Sequence, residues 1–551
     1  MKKVIKALSV IMSAVLIGAS LSGCGAKAPE PRLDAIEGDA YSFDDSNGVS
    51  VHDPSIFKSN DGEYYVTGSH IASAKSDDLI HWNTVSAGVF DSNKTLVKDG
   101  DTLRGSYQKA FAWCDAAMTQ WEREDKDWET NVWASDIIYN KAMDKYCYYA
   151  CSSVWGTTAS VIWFATSDSP EGTFEFSDCI VYSGFNNRTK LGKPKTRIHY
   201  SFTNIGDLID SGVFTDEEVM NSGWFNDNGD YDCSYGKSPN CIDPAPFYDK
   251  NGTLWLAYGS FSGGIYIIPL IEETGMPDYE YMKSADGYDM YFGKQLSKTN
   301  EDTNGTGEGP FIIYDSETDY YYMFITYGGL GALAGYNIRE YRSKYPDGPY
   351  EDIAGNSALD MKNTGVKISG NYKFSCDDTA YLSGGHSSCL VDDDGKIYQA
   401  YHTRYNDGEG GFHNVQIHQM GITADGWLTM LPFNYSGEEL KSISADDICG
   451  TYEAVDFGSV TMSCEDESNW NEVDTIISKT VGAEFKDDGT VVFNNKDKGE
   501  WKVNDNSCQI TISLNGKKYQ GVACKMKDDK GKNVTAISVI GDDNSTIWFV
   551  G

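Results

Sequence analysis

Residues 242–261 read IDPAPFYDKNGTLWLAYGSF: an acid, a short apolar run, a polar turn and a second, aromatic strand. Apolar and aromatic residues on both sides of a Gly-containing turn describe a β-hairpin. The pattern recurs as HDPSIFKSNDGEYYVTGSH at 52–70, WASDIIYNKAMDKYCYYACSS at 133–153, GEGPFIIYDSETDYYYMFITYGG at 307–329 and GGHSSCLVDDDGKIYQAYHTR at 384–404. Its register can be checked by subtraction: Asp53 to Gly62, Asp243 to Gly252 and His386 to Gly395 are each nine residues apart, while the other two repeats lack the turn glycine. Unequal insertions separate the repeats, as they do in a propeller whose loops crowd one rim. The fold expected is all-β: a five-bladed β-propeller over residues 49–435.

If the five inner strands run parallel around one axis, their first residues meet at one mouth of the channel. Those residues are Asp53, the 134–136 stretch, Asp243, Glu308 and His386, so three carboxylates distant in sequence are expected in one cleft. Two insertions stand out. Residues 89–130 contain a helical pattern at 106–122, and residues 183–240, rich in Gly, Asn and Asp, read as a loop that walls the cleft. After Phe433 the repeat stops, and 442–551 shows short alternating strands with NG and DG turns, predicting a small antiparallel barrel or sandwich. Its aromatics suit a strand core, so structural support is favoured over glycan binding.

The chain has 45 basic against 82 acidic residues, a net charge of −37. That balance argues against nucleic acid, anionic lipid or polygalacturonate as ligand and leaves a neutral glycan unopposed, although solubility alone accounts for it. Lys2, Lys3 and Lys6 precede an apolar run, 7–21, that ends in LSGC. Residues 1–23 are thus expected to be an export signal and 24–48 a flexible tether. Leu21, Ser22 and Gly23 before Cys24 resemble a lipobox, with acylation of Cys24 anchoring the protein outside the cytoplasm; an ordinary cleaved signal is the alternative. The other twelve cysteines form no metal-binding spacing; most read as buried apolar residues, with some disulfides left open.

Hydrolysis of a glycosidic bond needs a proton for the leaving oxygen and a carboxylate to activate water. Asp53 suits the base and Glu308 the acid, with Asp243 raising the pKa of Glu308 by like-charge repulsion. Singly, each acid is accounted for by turn chemistry, because Asp before Pro starts turns and Glu308 lies between glycines. Their shared repeat position weighs against that. His386, at the same position, reads as a core hydrogen-bonding residue or as the holder of a hydrated cation.

The stretches VHDPSIF, WASDIIYN, NCIDPAPFYDKNGTLWLAYGSFSGGI, GTGEGPFI, YGGLGALAGYNIREYRSKYPDGPY and GGHSSCLVDDDGKIYQAYHTR occur in order, at least one per blade. In this they resemble family 43 of the glycoside hydrolases, within it the extracellular endo-α-1,5-L-arabinanases with a C-terminal β domain. The resemblance implies Asp53 as general base, Asp243 as pKa modulator, Glu308 as general acid, and inversion at the anomeric carbon. It also implies one divalent cation, calcium, at His386 in the channel, and sugar subsites at Asn240, Ile242, Ser260, Ser262 and Gly156. The implied substrate is a neutral plant polysaccharide, arabinan, met by a monomer that touches membrane only through its lipid. Ser135 departs from the family's usual Pro, and the loop from Val154 lacks a second Trp, which puts subsite detail in question. Exo-acting α-L-arabinofuranosidase or β-xylosidase activity on the same scaffold remains open, as does a non-catalytic glycan-binding lipoprotein.

Overall fold

The computed structural model describes residues 26–30, 32–43, 48–123, 131–234, 236–298, 307–360 and 364–551; the export signal expected at 1–23 and Cys24 lie outside them. Among these residues are five antiparallel sheets of four or more strands, each drawn from one continuous stretch, followed by a closed eight-stranded barrel. The blades occupy 55–86, 132–182, 245–297, 308–367 and 381–430, and the barrel 450–550. Blade strands are apolar on both faces because neighbouring blades cover both: all seven residues of Leu254–Ser260 are buried. The barrel interior is packed with side chains, including Phe485, Trp501 and Phe549.

The ring closes without an exchanged strand. Val49, Val51 and Ile56 of the first blade pack against Tyr398, Ala400 and Ile417 of the fifth. Ser388 Oγ donates to the Pro54 carbonyl at 2.8 Å and accepts the Ile56 N–H at 2.9 Å, and Lys58 pairs with Asp392 at 2.6 Å.

A five-membered ring of left-handed residues marks the inner strands, just before the strand in the first and third blades and within it in the others: Asp53 (φ 55°), Ala134 (43°), Asp243 (55°), Gly309 (60°) and His386 (47°). The fourth member corrects the sequence register, which placed Glu308 there. Gly309 takes the position, followed by Pro310 as Pro54 and Pro244 follow Asp53 and Asp243. Glycine enters the left-handed region without steric penalty. Glu308 sits one residue upstream and pairs with Thr326, and the ladder then shifts register before Phe311 pairs with Phe324. Glu308 therefore approaches the mouth from a different backbone position than the two aspartates.

The expected helix in the first insertion runs over Gln108–Gln120. The second insertion is more ordered than its composition suggested. Asn204–Asp210 and Asp216–Asn221 are helices, each capped by a threonine, with a reciprocal capping box between Thr215 and Glu218 in the second. Buried Ile205, Phe214, Val219 and Trp224 seat it on the core. The TDEE sequence at 215–218 carried that signal, but helices of six or seven residues are too short for periodicity to register. The twelve cysteines at described positions are all free thiols.

The barrel docks on the last two blades through a shared apolar cluster, with Val522, Cys524, Ala536 and Trp548 against Tyr372, Trp427, Met430 and Phe433. At its edge Asp377 receives the Phe374 N–H at 2.6 Å, and Tyr381 Oη donates to Asp529 of the barrel. Burial pushes Asp377 up to about 7, the Phe374 N–H works against it, and the Asp529 carboxylate adds to it. A carboxyl raised on folding binds more protons folded than unfolded, so its contribution falls as pH rises from the ordinary carboxylate value of 3.8 to about 7. Asp377→Asn is expected to melt above the parent protein at mildly alkaline pH and level with it at acidic pH, as calorimetry at the two pH values would read.

Candidate active site

All five inner strands start at one rim, and so do the loops that leave the second strand of each blade. The connection from 183 to 244 lies on the same rim, because it leaves the outer strand Glu175–Tyr182 and enters the inner strand Ala245–Tyr248. The ring of left-handed residues bounds the channel below, where three residues from each blade, Asp53–Ser55 in the first and His386–Ser388 in the fifth, enclose a cavity of about 20 Å³.

Asp53 is buried, and each of its carboxylate oxygens has a partner. Oδ2 accepts the Ser69 hydroxyl at 2.5 Å and lies 3.0 Å from His52 Nδ1. Oδ1 lies 3.1 Å from His386 Nδ1 and 3.7 Å from His402 Nδ1. Ser69 Oγ in turn accepts the Ala134 N–H at 2.9 Å, fixing its proton on Asp53. Burial alone would raise Asp53, but the imidazoles of His386 and His52 and the His52 hydrogen bond outweigh it and hold the carboxyl well below its ordinary range. His402, fully buried, is driven to the neutral form by burial. Its Nδ1 accepts the Asp53 N–H at 3.2 Å, which puts its proton on Nε2. His52, Asp53 and His402 offer donor atoms within 4.8 Å of one another, but the His402 nitrogen facing Asp53 is already used by that backbone bond.

Asp243 and Glu308 are pushed the other way. Burial raises Asp243 well above the carboxylate range, and the charges of Glu308 and Asp53 add to it; the Gly309 N–H, donating to Oδ2 at 3.1 Å, opposes. Burial also raises Glu308, while His386 and the Tyr336 hydroxyl pull it down. Tyr336 Oη donates to Glu308 Oε1 at 2.5 Å, and Ser260 Oγ to Oε2 at 3.3 Å. Two interacting carboxyls, Asp243 buried and Glu308 partly so, titrate as a pair, and this pair keeps a proton at pH values where Asp53 is ionised. One rim thus offers a carboxylate and a carboxylic acid.

The other expected positions fall into two groups. Ser260 touches Glu308, and Asn240 and Ile242 lie buried in the wall behind, where Asn240 Oδ1 accepts the Ser160 hydroxyl at 2.8 Å and the Ile242 carbonyl accepts the Gly259 N–H at 2.9 Å. Ser262 and Gly156 stand in turns between the second and third strands of their blades, on the same rim. His52, Ser69, Tyr336 and His402 were not singled out from sequence. Only His52, adjacent to Asp53, carried any signal; the others come from loops and second strands outside the repeat's leading residues.

Residues 109–428 match the model for glycosyl hydrolases family 43, and 432–549 match its C-terminal lipocalin-like domain. The chain belongs to glycoside hydrolase family 43. Within the family it is 32% identical over 520 residues to the extracellular endo-α-(1→5)-L-arabinanase 2 of Bacillus subtilis (strain 168), covering 91% of this chain and 92% of that protein. An extracellular endo-α-(1→5)-L-arabinanase of Thermotoga petrophila RKU-1 is 31% identical over 518 residues, covering 91% and 93%. The crystal structure of endo-1,5-α-L-arabinanase from Thermotoga petrophila RKU-1 superposes with a TM-score of 0.72 at 30% identity, covering 95% of this chain and 99% of that one. The family match starts inside the helix Gln108–Gln120, so the blade bearing Asp53 lies upstream of it.

Proposed function

We propose that this glycoside hydrolase is an extracellular enzyme that makes internal cuts in α-1,5-linked L-arabinan with inversion at the anomeric carbon. The observation that carries the mechanism is the opposed protonation of carboxyls on one rim: Asp53 held low, the Asp243–Glu308 pair held high. Such separation is how one site runs acid and base chemistry at a single pH. Asp53, ionised, takes a proton from the attacking water, and Ser69 and His52 keep its carboxylate aimed as it does so. Glu308 delivers a proton to the leaving oxygen, and Asp243 keeps the shared proton available by repelling a second negative charge. Ser260 and Tyr336 orient the Glu308 carboxyl. Arabinan is uncharged and meets no repulsion from a protein of net charge −37.

Early products of linear arabinan hydrolysis, followed by NMR and by chain length, test this reading. It requires the inverted anomer to form first and a spread of oligosaccharides. Arabinose as sole product would assign an exo-acting enzyme on the same scaffold, and a retained anomer would overturn the roles given to Asp53 and Glu308.

The reading extends to a calcium ion in the channel. His386 turns Nδ1 to Asp53 and Tyr336, so a cation would take Nε2. Ser387 Oγ, buried without a partner beside it, and a cavity with room for little more than a water or an ion fit a small hydrated cation. When bound it would supply positive charge beneath Asp53. Calorimetric titration of calcium into chelator-treated protein should show one site that His386→Ala removes; undiminished binding in that variant would place the ion elsewhere. Acylation at Cys24 completes the proposal, with the 24–48 segment tethering the enzyme to the cell surface; mass spectrometry of the mature N-terminus tests it.

A further inference from the structure

Tyr336, the hydroxyl donor to Glu308, ends the fourth-blade loop 328–336, and that loop is held by the other domain. Residues 457–479 of the barrel, between the strands Gly450–Asp456 and Thr480–Phe485, reach out of the barrel and lie against it. The Cys464 N–H donates to the Leu333 carbonyl at 2.9 Å. A Cβ on Gly335 would stand 2.4 Å from the Met462 carbonyl oxygen, so the two backbones touch one residue before Tyr336. Just after it, Asn337 Nδ2 donates to Thr461 Oγ1 at 3.1 Å, and Arg339, fully buried, donates to the Ser459 carbonyl at 2.7 Å. Leu333 is clamped by Cys464, Val473 and Ile476 in an apolar cluster separate from the one that docks the two domains. Of the arm, Phe457 joins the docking cluster, against Trp548 and Tyr372; the contacts with the loop are made by the residues beyond it.

We propose that the 457–479 arm of the barrel is a positioning element of the catalytic site, seating Tyr336 so that the Glu308 carboxyl is presented to the leaving oxygen. The inference rests on Glu308 being the general acid. Its substance is that a domain that makes none of the described hydrogen bonds to Asp53, Asp243 or Glu308 nonetheless governs proton delivery. An aromatic side chain at the end of a nine-residue loop with glycine at 328, 329, 331 and 335 has little intrinsic reason to hold one direction. The Tyr336 ring packs on His402 and Gly385, and contacts made one to three residues away on either side seat the backbone that carries it. A displaced donor lets the carboxyl rotate, and rotation of about 1 Å is enough to slow proton transfer a hundredfold.

The arm can be shortened without breaking the barrel, because Val455 and Thr480 at its two ends are cross-strand partners; a short link in place of residues 461–477 keeps Phe457 in the docking cluster and the Phe457, Ser459 and Val460 carbonyls that take Lys367 and Arg339. The experiment compares full-length protein, the shortened-arm variant, Tyr336→Phe and their combination on two substrates: linear arabinan, whose leaving alcohol needs a proton, and an arabinotrioside with a dinitrophenyl leaving group, which does not. The shortened arm is expected to lower kcat on arabinan by about tenfold or more with KM within about twofold, and to leave the activated substrate within about twofold. The combined variant should lose no more than Tyr336→Phe alone. Equal losses on both substrates, a loss mainly in KM, or additive losses in the combination would overturn the proposal. If the shortened protein does not fold, Trp470→Ala with Ile476→Ala loosens the same contacts and carries the same expectations. Glu308→Gln run alongside separates the two failures: if it shows no leaving-group dependence, the assignment of the acid fails; if it does and the arm variants do not, only the positioning role fails.

Discussion

Glu308→Gln is expected to lower kcat on linear arabinan by about 10²–10⁴-fold. It should retain, to within about tenfold, the rate of an arabinotrioside with a dinitrophenyl leaving group. The amide keeps the size of the carboxyl; its oxygen can still accept the Tyr336 hydroxyl while its NH2 donates to Ser260 Oγ, so the site stays assembled and the transferable proton is lost. That proton matters in proportion to the basicity of the leaving oxygen: a sugar hydroxyl cannot depart as an alkoxide at neutral pH, whereas a dinitrophenolate can. Steady-state kinetics on the two substrates reads the difference directly. Equal loss on both would mean that Glu308 supports binding or water activation instead.

Asp53→Asn should produce a loss of the same order, but on every substrate alike, because activation of water is needed whatever group departs. This substitution is clean. Asn tolerates the left-handed backbone that position 53 adopts, its carbonyl can still take the Ser69 hydrogen bond, and the Asp53 N–H bond to His402 is unaffected. What disappears is the basic lone pair on a group the surrounding imidazoles keep ionised. The acid limb of the pH profile should vanish with it, since that limb reports protonation of Asp53. A variant that spared the activated glycoside would transfer the base role to another group.

The two substitutions also mark how far the sequence reached. The propeller was legible because the hairpin repeats five times, and the acids were legible because they lead those repeats. The placement of Glu308 in the ring was an error of one residue: aligning acid with acid ignored that the Gly-Pro of 309–310 matches the Asp-Pro of 53–54 and 243–244 in backbone shape. Ser69, Tyr336 and His402 were not legible, because what makes them part of the site is contact in space at separations of 16, 28 and 349 residues from their partners, the last across two blades. No local pattern encodes that. The arm was invisible for the same reason, since its residues look like an ordinary surface connection until the blade loop beneath them is seen. The second of the two short helices in the second insertion was announced by a capping box, and the Gly, Asn and Asp around it concealed it.

Four of the five residues in the left-handed ring carry side chains, and each such backbone position holds about 1–2 kcal/mol of strain. Strain of that kind survives only where surrounding structure enforces it. A population of variants selected for heat tolerance would be drawn to glycine at each ring position in turn. At Ala134 the change would be harmless to turnover; at Asp53 and Asp243 it would erase the chemistry. Stability and activity are therefore in direct opposition at two ring positions and independent at a third, so the ring itself sets how far this scaffold can be hardened before it stops being an enzyme.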